Sequence, residues 1–168
     1  MIRAAVITVS DSAHAGTRSD ASGPAVIERL ERLGWSAALR LVVPDERSAI
    51  EAALRDCSGS GEVQAVFTTG GTGVALRDVT PEATRAVIDR EIPGLAEVMR
   101  AEGLKFTPRA ALSRAVAGSH GTVLIVNLPG SPKGACESFD AIAGLLPHVI
   151  DLLAGRTAHP PDAKPASS

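Results

Sequence analysis

The sequence predicts a three-layer α/β fold: a mostly parallel sheet with helices on both faces. Short apolar runs alternate with segments of helical spacing, the order that builds parallel sheets. Two glycine-bearing turns each close such a run and precede a helical stretch. Thr69-Gly70-Gly71-Thr72-Gly73 follows Val63 to Thr68, and Asn127-Leu128-Pro129-Gly130-Ser131-Pro132 follows Thr122 to Val126. Apolar residues make up 45% of the chain but aromatics only 2%, with no Tyr, so the core must be Ala, Val, Leu and Ile. A chain of 168 residues is most economically one domain and can bury a core without metals or disulfides. No repeat or linker divides it. Residues 1–156 are assigned to the domain and 157–168, rich in Pro, Ala and Ser, to a disordered tail.

Ile2 to Val9 reads as the first buried strand, and Ser10 to Ser19, polar with Gly16, as the loop leaving it. Pro24 to Leu33 carries Val26, Ile27, Leu30 and Leu33 as a helical stripe, with Gly34 as its stop. Ser36 to Val43 is strand-like, Pro44-Asp45 breaks it, and Ser48 to Cys57 is helical. Val63 to Thr68 is the next strand. Thr80-Pro81-Glu82 opens a helix, with Thr80 as N-cap, Pro81 at the first position and an acid in the first turn. Pro93 to Arg100 is a short helix, Val123 to Val126 a buried strand, and Pro132 to Leu153 a helical pattern interrupted by Pro147.

In an open α/β sheet, ligands bind outside the carboxyl ends of the strands. The two turns therefore suggest one pocket lined by backbone N–H groups, which suit an anion and above all a phosphate. Gly70 to Gly73 is neither a Walker A loop nor a dinucleotide fingerprint, since Leu76 occupies the last glycine position of the latter. Taken alone it is equally a plain tight turn. Arg77-Asp78, between that turn and a helix, reads as a site residue beside an ion-pair or capping alternative. Asp45 ends the second strand. If that strand runs parallel to the third, Asp45 and Asp78 share one sheet edge, and two carboxylates beside a phosphate suit Mg²⁺. Taken singly, an Asp after a strand is most often a helix cap. Ser131 lies in a turn made rigid by its two prolines, and Lys133 could meet a phosphate or stay solvated.

Several classes are disfavoured. Seventeen Lys plus Arg against 19 Asp plus Glu, with no basic run and few aromatics, argue against nucleic acid. Met1 to Val9 lacks a positive n-region and reads as a strand, not a signal peptide, and no stretch approaches membrane-spanning length. A soluble cytoplasmic protein without membrane partners is expected. Cys57 and Cys136 have no metal spacing and read as small hydrophobes in helices. His14, His120, His148 and His159 form no ligand set and are read as surface or loop residues.

Taken together, the segments resemble the molybdopterin-binding family of molybdenum-cofactor biosynthesis: bacterial Mog and MoaB proteins and the G domains of gephyrin and its plant counterpart. The matching stretches are Val6 to Asp11, Asp20 to Gly23, Val43-Pro44-Asp45, Thr68 to Gly73, Arg77 to Thr84, Pro93-Gly94-Leu95, Leu112-Ser113-Arg114 and Asn127 to Lys133. The resemblance implies the three-layer fold, a homotrimer, and binding of molybdopterin, a pterin with a dithiolene and a terminal phosphate. Leu95, Val98 and Met99, in the segment Pro93 to Arg100, are candidates for the trimer interface because nothing in the sequence assigns all three to one core. In active members ATP and Mg²⁺ adenylylate that phosphate and release pyrophosphate. The family's two functional aspartates align with Asp45 and Asp78, implied as catalytic and Mg²⁺-holding. The implied substrate- and nucleotide-binding set is Ser10, Asp11, Thr69, Gly70, Gly71, Thr72, Gly73, Ser113, Asn127, Pro129, Gly130, Ser131, Pro132 and Lys133. Other molybdenum-cofactor enzymes are the implied protein partners. Two functions remain open: a molybdopterin adenylyltransferase, and a non-catalytic molybdopterin carrier. Two carboxylates near an anionic ligand favour the enzyme.

Overall fold

A computed structural model describes residues 1–157, so the segment His159 to Ser168, expected to be disordered, lies outside the described residues. Among the described residues six strands form one sheet: β1 (Arg3–Val9), β2 (Ser36–Val43), β3 (Ala65–Thr69), β4 (Arg90–Glu91), β5 (Ala117–His120) and β6 (Val123–Leu128), in the order β2-β1-β3-β6-β5-β4. The first four in that order are parallel; at the far edge β5 pairs antiparallel with β6, and β4 antiparallel with β5. Successive residues alternate between two cores, as the pleat requires. Ala4, Val6, Phe67 and Leu124 face one; Ala5, Ile7, Val66 and Ile125 face the other.

The first core is covered by α2 (Ser22–Arg32), α5 (Pro93–Gly103), α6 (Pro132–Ile142) and α7 (Leu146–Leu153), and the second by α3 (Arg47–Gly59) and α4 (Thr80–Arg85). The three-layer prediction therefore holds. Phe67 and Phe139, two of the few aromatics, meet edge-to-face with centroids 5.3 Å apart. Cys57 lies in α3 and Cys136 in α6; burial pushes the Cys57 thiol up to about 11.

Some expectations are corrected. The loop after β1 contains a short helix, α1 (Asp11–His14). The interruption expected at Pro147 is present: α6 ends at Ile142, and Pro147 stands in the first turn of α7, a separate helix. Thr80 is not a side-chain N-cap: it stands at the first helical position after Val79, and its hydroxyl donates instead to the Gly70 carbonyl at 2.9 Å. Leu95 and Met99 are each 4% exposed in the first core, so neither is available for an interface between copies. His120 ends β5, half-buried, with Nδ1 2.7 Å from the Ser58 hydroxyl, rather than lying in a loop.

Asn127, expected to line the ligand wall, is fully buried inside β6. Its amide donates to the Thr68 and Thr84 hydroxyls at 3.0 and 2.8 Å, and its carbonyl accepts the Val116 N–H at 3.1 Å. It fastens β3, α4 and the start of β5 to one point. Asn127→Ala leaves a buried N–H unpaired, and chemical denaturation should show a loss of about 2–3 kcal/mol. A loss within about 0.5 kcal/mol, the range of a surface substitution, would remove this role.

Candidate active site

The site is built where β3 and β6 end side by side, with Thr69 opposite Leu128. The Gly70 N–H donates to the Leu128 carbonyl at 3.1 Å, extending the ladder past the last paired residues. Gly70 and Gly71 then turn the chain with φ of +98° and +68°, which only glycine adopts without strain. The Gly71 carbonyl accepts the Thr80 N–H at 3.1 Å, so α4 holds the turn through backbone and side chain together. Gly130 packs directly on Gly70; a Cβ built there lies 3.2 Å from the Gly70 Cα.

That contact divides the expected single pocket into two lobes. The wide lobe, ≈ 520 Å³, takes in Gly71, Thr72, Gly73, Asp78, Arg109, Ser113, Pro129, Gly130 and Ser131. The narrow lobe, ≈ 420 Å³, takes in Ser10, Arg18, Asp20, Asp45, Thr69, Gly70, Gly71, Gly130, Ser131 and Pro132. Gly71, Gly130 and Ser131 line both. Asp45 and Asp78 share the carboxyl edge but open into different lobes.

Each carboxylate is fixed differently. Asp45 and Asp11 exchange hydrogen bonds: Asp45 Oδ2 accepts the Asp11 N–H at 2.8 Å, and Asp11 Oδ1 accepts the Asp45 N–H at 2.9 Å. Asp45 thus does not cap α3, which begins after Glu46 with no side-chain cap. Burial raises the Asp45 carboxyl above its ordinary range, and the neighbouring Asp11 and Asp78 charges add to the rise. Asp11 is turned from the lobes to a bidentate pair with Arg77 at 2.6 and 2.9 Å, and that guanidinium lowers its pKa. Arg77 is therefore not the partner of Asp78. Asp78 Oδ2 accepts the Ala75 N–H at 2.9 Å within its own loop.

The remaining expected residues divide. Ser131 caps α6 by accepting the Gly134 N–H at 3.1 Å, placing that helix start at the junction of the lobes. Thr69 meets the Ser22 hydroxyl at 2.8 Å on the narrow-lobe floor. The Ser10 hydroxyl accepts the Ala13 N–H at 3.2 Å. Asp11, Asn127 and Lys133 line neither lobe; Lys133, with its side chain 82% exposed, sits 3.7 Å from Glu137.

Sequence reasoning gave no site role to Asp20, which accepts the Thr8 hydroxyl at 2.8 Å and the Gly23 N–H at 2.9 Å on the narrow lobe. It also passed over Arg100, Arg109 and Arg114. The one local signal was the Leu112-Ser113-Arg114 motif, where only Ser113 was chosen. Among the described residues no three His, Cys, Asp or Glu side chains converge as a metal cluster, and no helix is long and apolar enough to cross a membrane.

A two-lobed cleft at the carboxyl edge of a parallel sheet, floored by glycine turns and flanked by carboxylates, defines a ligand-binding α/β domain suited to anionic groups. Residues 5–148 match the family described as "probable molybdopterin binding domain", and the chain belongs to that family. It is 42% identical over 156 residues to the molybdopterin adenylyltransferase of Helicobacter pylori strain J99, covering 92% of this chain and 89% of that protein. The Escherichia coli K12 molybdopterin adenylyltransferase is 42% identical over 144 residues, 84% of this chain and 73% of that one. The chain spans only 25% of the Drosophila melanogaster molybdenum cofactor synthesis protein cinnamon, at 42% identity. The molybdopterin biosynthesis enzyme MoaB of Thermus thermophilus superposes with a TM-score of 0.87 at 49% identity, covering 92% of this chain and 98% of that one.

The glycines give a direct test of this geometry. A Cβ on Gly70 would collide with the Val9 carbonyl, a backbone atom that cannot step aside. A Cβ on Gly73 would meet only the movable Asp78 carboxylate, 2.7 Å away. Gly70→Ala should lose upward of ~1 kcal/mol in thermal melts. Gly73→Ala should melt like wild type yet speed hydrogen exchange at the Ala75 amide. Equal melting of all three proteins would contradict the packing of the turn.

Proposed function

We propose that this protein transfers the adenylyl group of ATP to the terminal phosphate of molybdopterin. A phosphate oxygen of molybdopterin attacks the α-phosphorus of ATP; the bond from that phosphorus to the bridging oxygen breaks, and pyrophosphate leaves. The observation that carries the reading is the pair of lobes sharing Gly71, Gly130 and Ser131, with Asp78 opening into the wide one and Asp45 into the narrow one. Two anionic substrates, one per lobe, would bring their reacting phosphates together at the shared wall. The adenylyltransferase relatives, at 42% identity over most of the chain, support the same reaction.

No nucleophile from the protein is needed, since such transfers depend on positioning and charge neutralisation. Backbone N–H groups of the Gly70 turn and the start of α6 would receive phosphate oxygens. Asp45 and Asp78 fit Mg²⁺, which is usually held by one or two carboxylates plus substrate phosphates rather than by a protein cage. When bound, Mg²⁺ would neutralise triphosphate charge. The homotrimer is part of the proposal, with an interface other than Leu95 and Met99.

Incubation with molybdopterin, ATP and Mg²⁺ should yield adenylylated molybdopterin and pyrophosphate; tight binding of both substrates without product would favour the carrier. Asn at position 78 can still accept the Ala75 N–H, so Asp78→Asn should keep the wild-type melting temperature while turnover falls by ~10²-fold or more. Near-normal turnover would remove Asp78 from the mechanism. Because burial raises the Asp45 pKa, its negative charge is lost on acidification sooner than that of an ordinary Asp. Mg²⁺-dependent ATP affinity, measured by calorimetry, should therefore weaken as pH falls through that raised value. Asp45→Asn should bind weakly with this pH dependence gone, and an unchanged profile in the variant would assign the titration elsewhere.

A further inference from the structure

We propose that Arg114 is the positioning residue for Asp78: its guanidinium holds both ends of the Gly73–Asp78 loop and so sets where the Asp78 carboxylate stands. Arg114 lines neither lobe, so it acts through the loop. Its Nε donates to the Gly73 carbonyl at 2.7 Å and its Nη2 to the Asp78 carbonyl at 2.6 Å. Its backbone N–H donates to the Thr72 carbonyl at 2.8 Å. Nη1 pairs with Glu82 Oε1, and Nη2 reaches Glu82 Oε2 at 3.5 Å. One planar cation therefore closes the loop where it begins and where it ends.

The loop has little else to fix it. Val74, Ala75, Leu76 and Arg77 are exposed, and Leu76 is fully so. Arg77 is tied to Asp11 by an ion pair exposed on both sides, a kind that contributes little. Inside the loop, the Asp78 N–H donates to the Ala75 carbonyl and the Ala75 N–H to Asp78 Oδ2, both at 2.9 Å, which sets only the local turn. Arg114 is itself anchored through Glu82 on α4, whose neighbours Pro81, Ala83 and Thr84 are buried. A Lys ammonium could not span two carbonyls and a carboxylate; the rigid guanidinium fork can.

This inference rests on the proposed role of Asp78, so the test runs Asp78→Asn beside the Arg114 variants. Arg114→Ala should lower kcat by ~10²-fold, as loss of the carboxylate itself does. The double variant Arg114→Ala/Asp78→Asn should be no slower than Asp78→Asn alone, because residues acting as one unit are non-additive. Arg114→Lys, the milder change should the alanine variant fold poorly, should melt within a few degrees of wild type. It should still show reduced kcat and faster hydrogen exchange at the Ala75 and Asp78 amides. A hollow of ≈ 320 Å³ beside Arg114, also lined by Arg85, Glu91 and Arg100, gives a small cation access. Methylguanidinium should therefore restore part of the Arg114→Ala activity while leaving wild type and Asp78→Asn unchanged. An inactive Asp78→Asn beside fully active Arg114 variants would overturn the inference alone, as would losses that multiply in the double variant. A fully active Asp78→Asn would overturn the inference and the underlying role of Asp78 together.

Discussion

The contact between Gly70 and Gly130 is the constraint from which the site follows. It is dictated by the sheet: β3 and β6 are parallel neighbours in register, so their carboxyl-end turns must meet. The Gly70 N–H to the Leu128 carbonyl draws the turns together; a Cβ on Gly130 would press on the Gly70 Cα at 3.2 Å, and one on Gly70 would run into the Val9 carbonyl. A cleft that would otherwise be continuous becomes two lobes with a common wall. An enzyme joining two anionic substrates needs such a division, with separate sites and one shared point where the reacting atoms meet.

Around that wall the structure keeps its two carboxylates distinct. Asp45 is half-buried, held by reciprocal hydrogen bonds with Asp11, and carries a raised pKa. Asp78 is held only by its own loop, and the loop by Arg114. The first is fixed to the strand ends and the second to α4 and the segment before β5, so the two walls are supported by different parts of the chain. Asp11 fixes Asp45 and takes up Arg77.

Much of this was legible in the sequence because it is local. The parallel strands, the glycine turns and the presence of Asp45 and Asp78 at one edge follow from periodicity, turn chemistry and strand direction. What escaped depends on partners distant in the chain. Ala117-Gly118-Ser119-His120 has no apolar run, yet it forms β5 because β6 and Arg90–Glu91 pair with it and Gly118 has no room for a Cβ. Asn127 reads as a turn residue, but β6 runs on past it and three groups from β3, α4 and the start of β5 claim its side chain. Leu95 and Met99 looked like candidates for an interface because their periodicity does not say which surface they meet; the sheet takes both. Arg114 escapes because its side-chain contacts lie 32 to 41 residues back along the chain.

The central claim is that both lobes, with Asp45 and Asp78, form one reaction site joined at Gly71 and Gly130. A crystal structure grown with Mn²⁺ and a non-hydrolysable ATP analogue tests it most directly, because Mn²⁺ can be located by its anomalous scattering. The expected result is a metal peak beside the Asp45 and Asp78 carboxylates, with the α-phosphate against Gly71 and Gly130. A nucleotide bound away from that wall, or a metal touching neither aspartate, would contradict it.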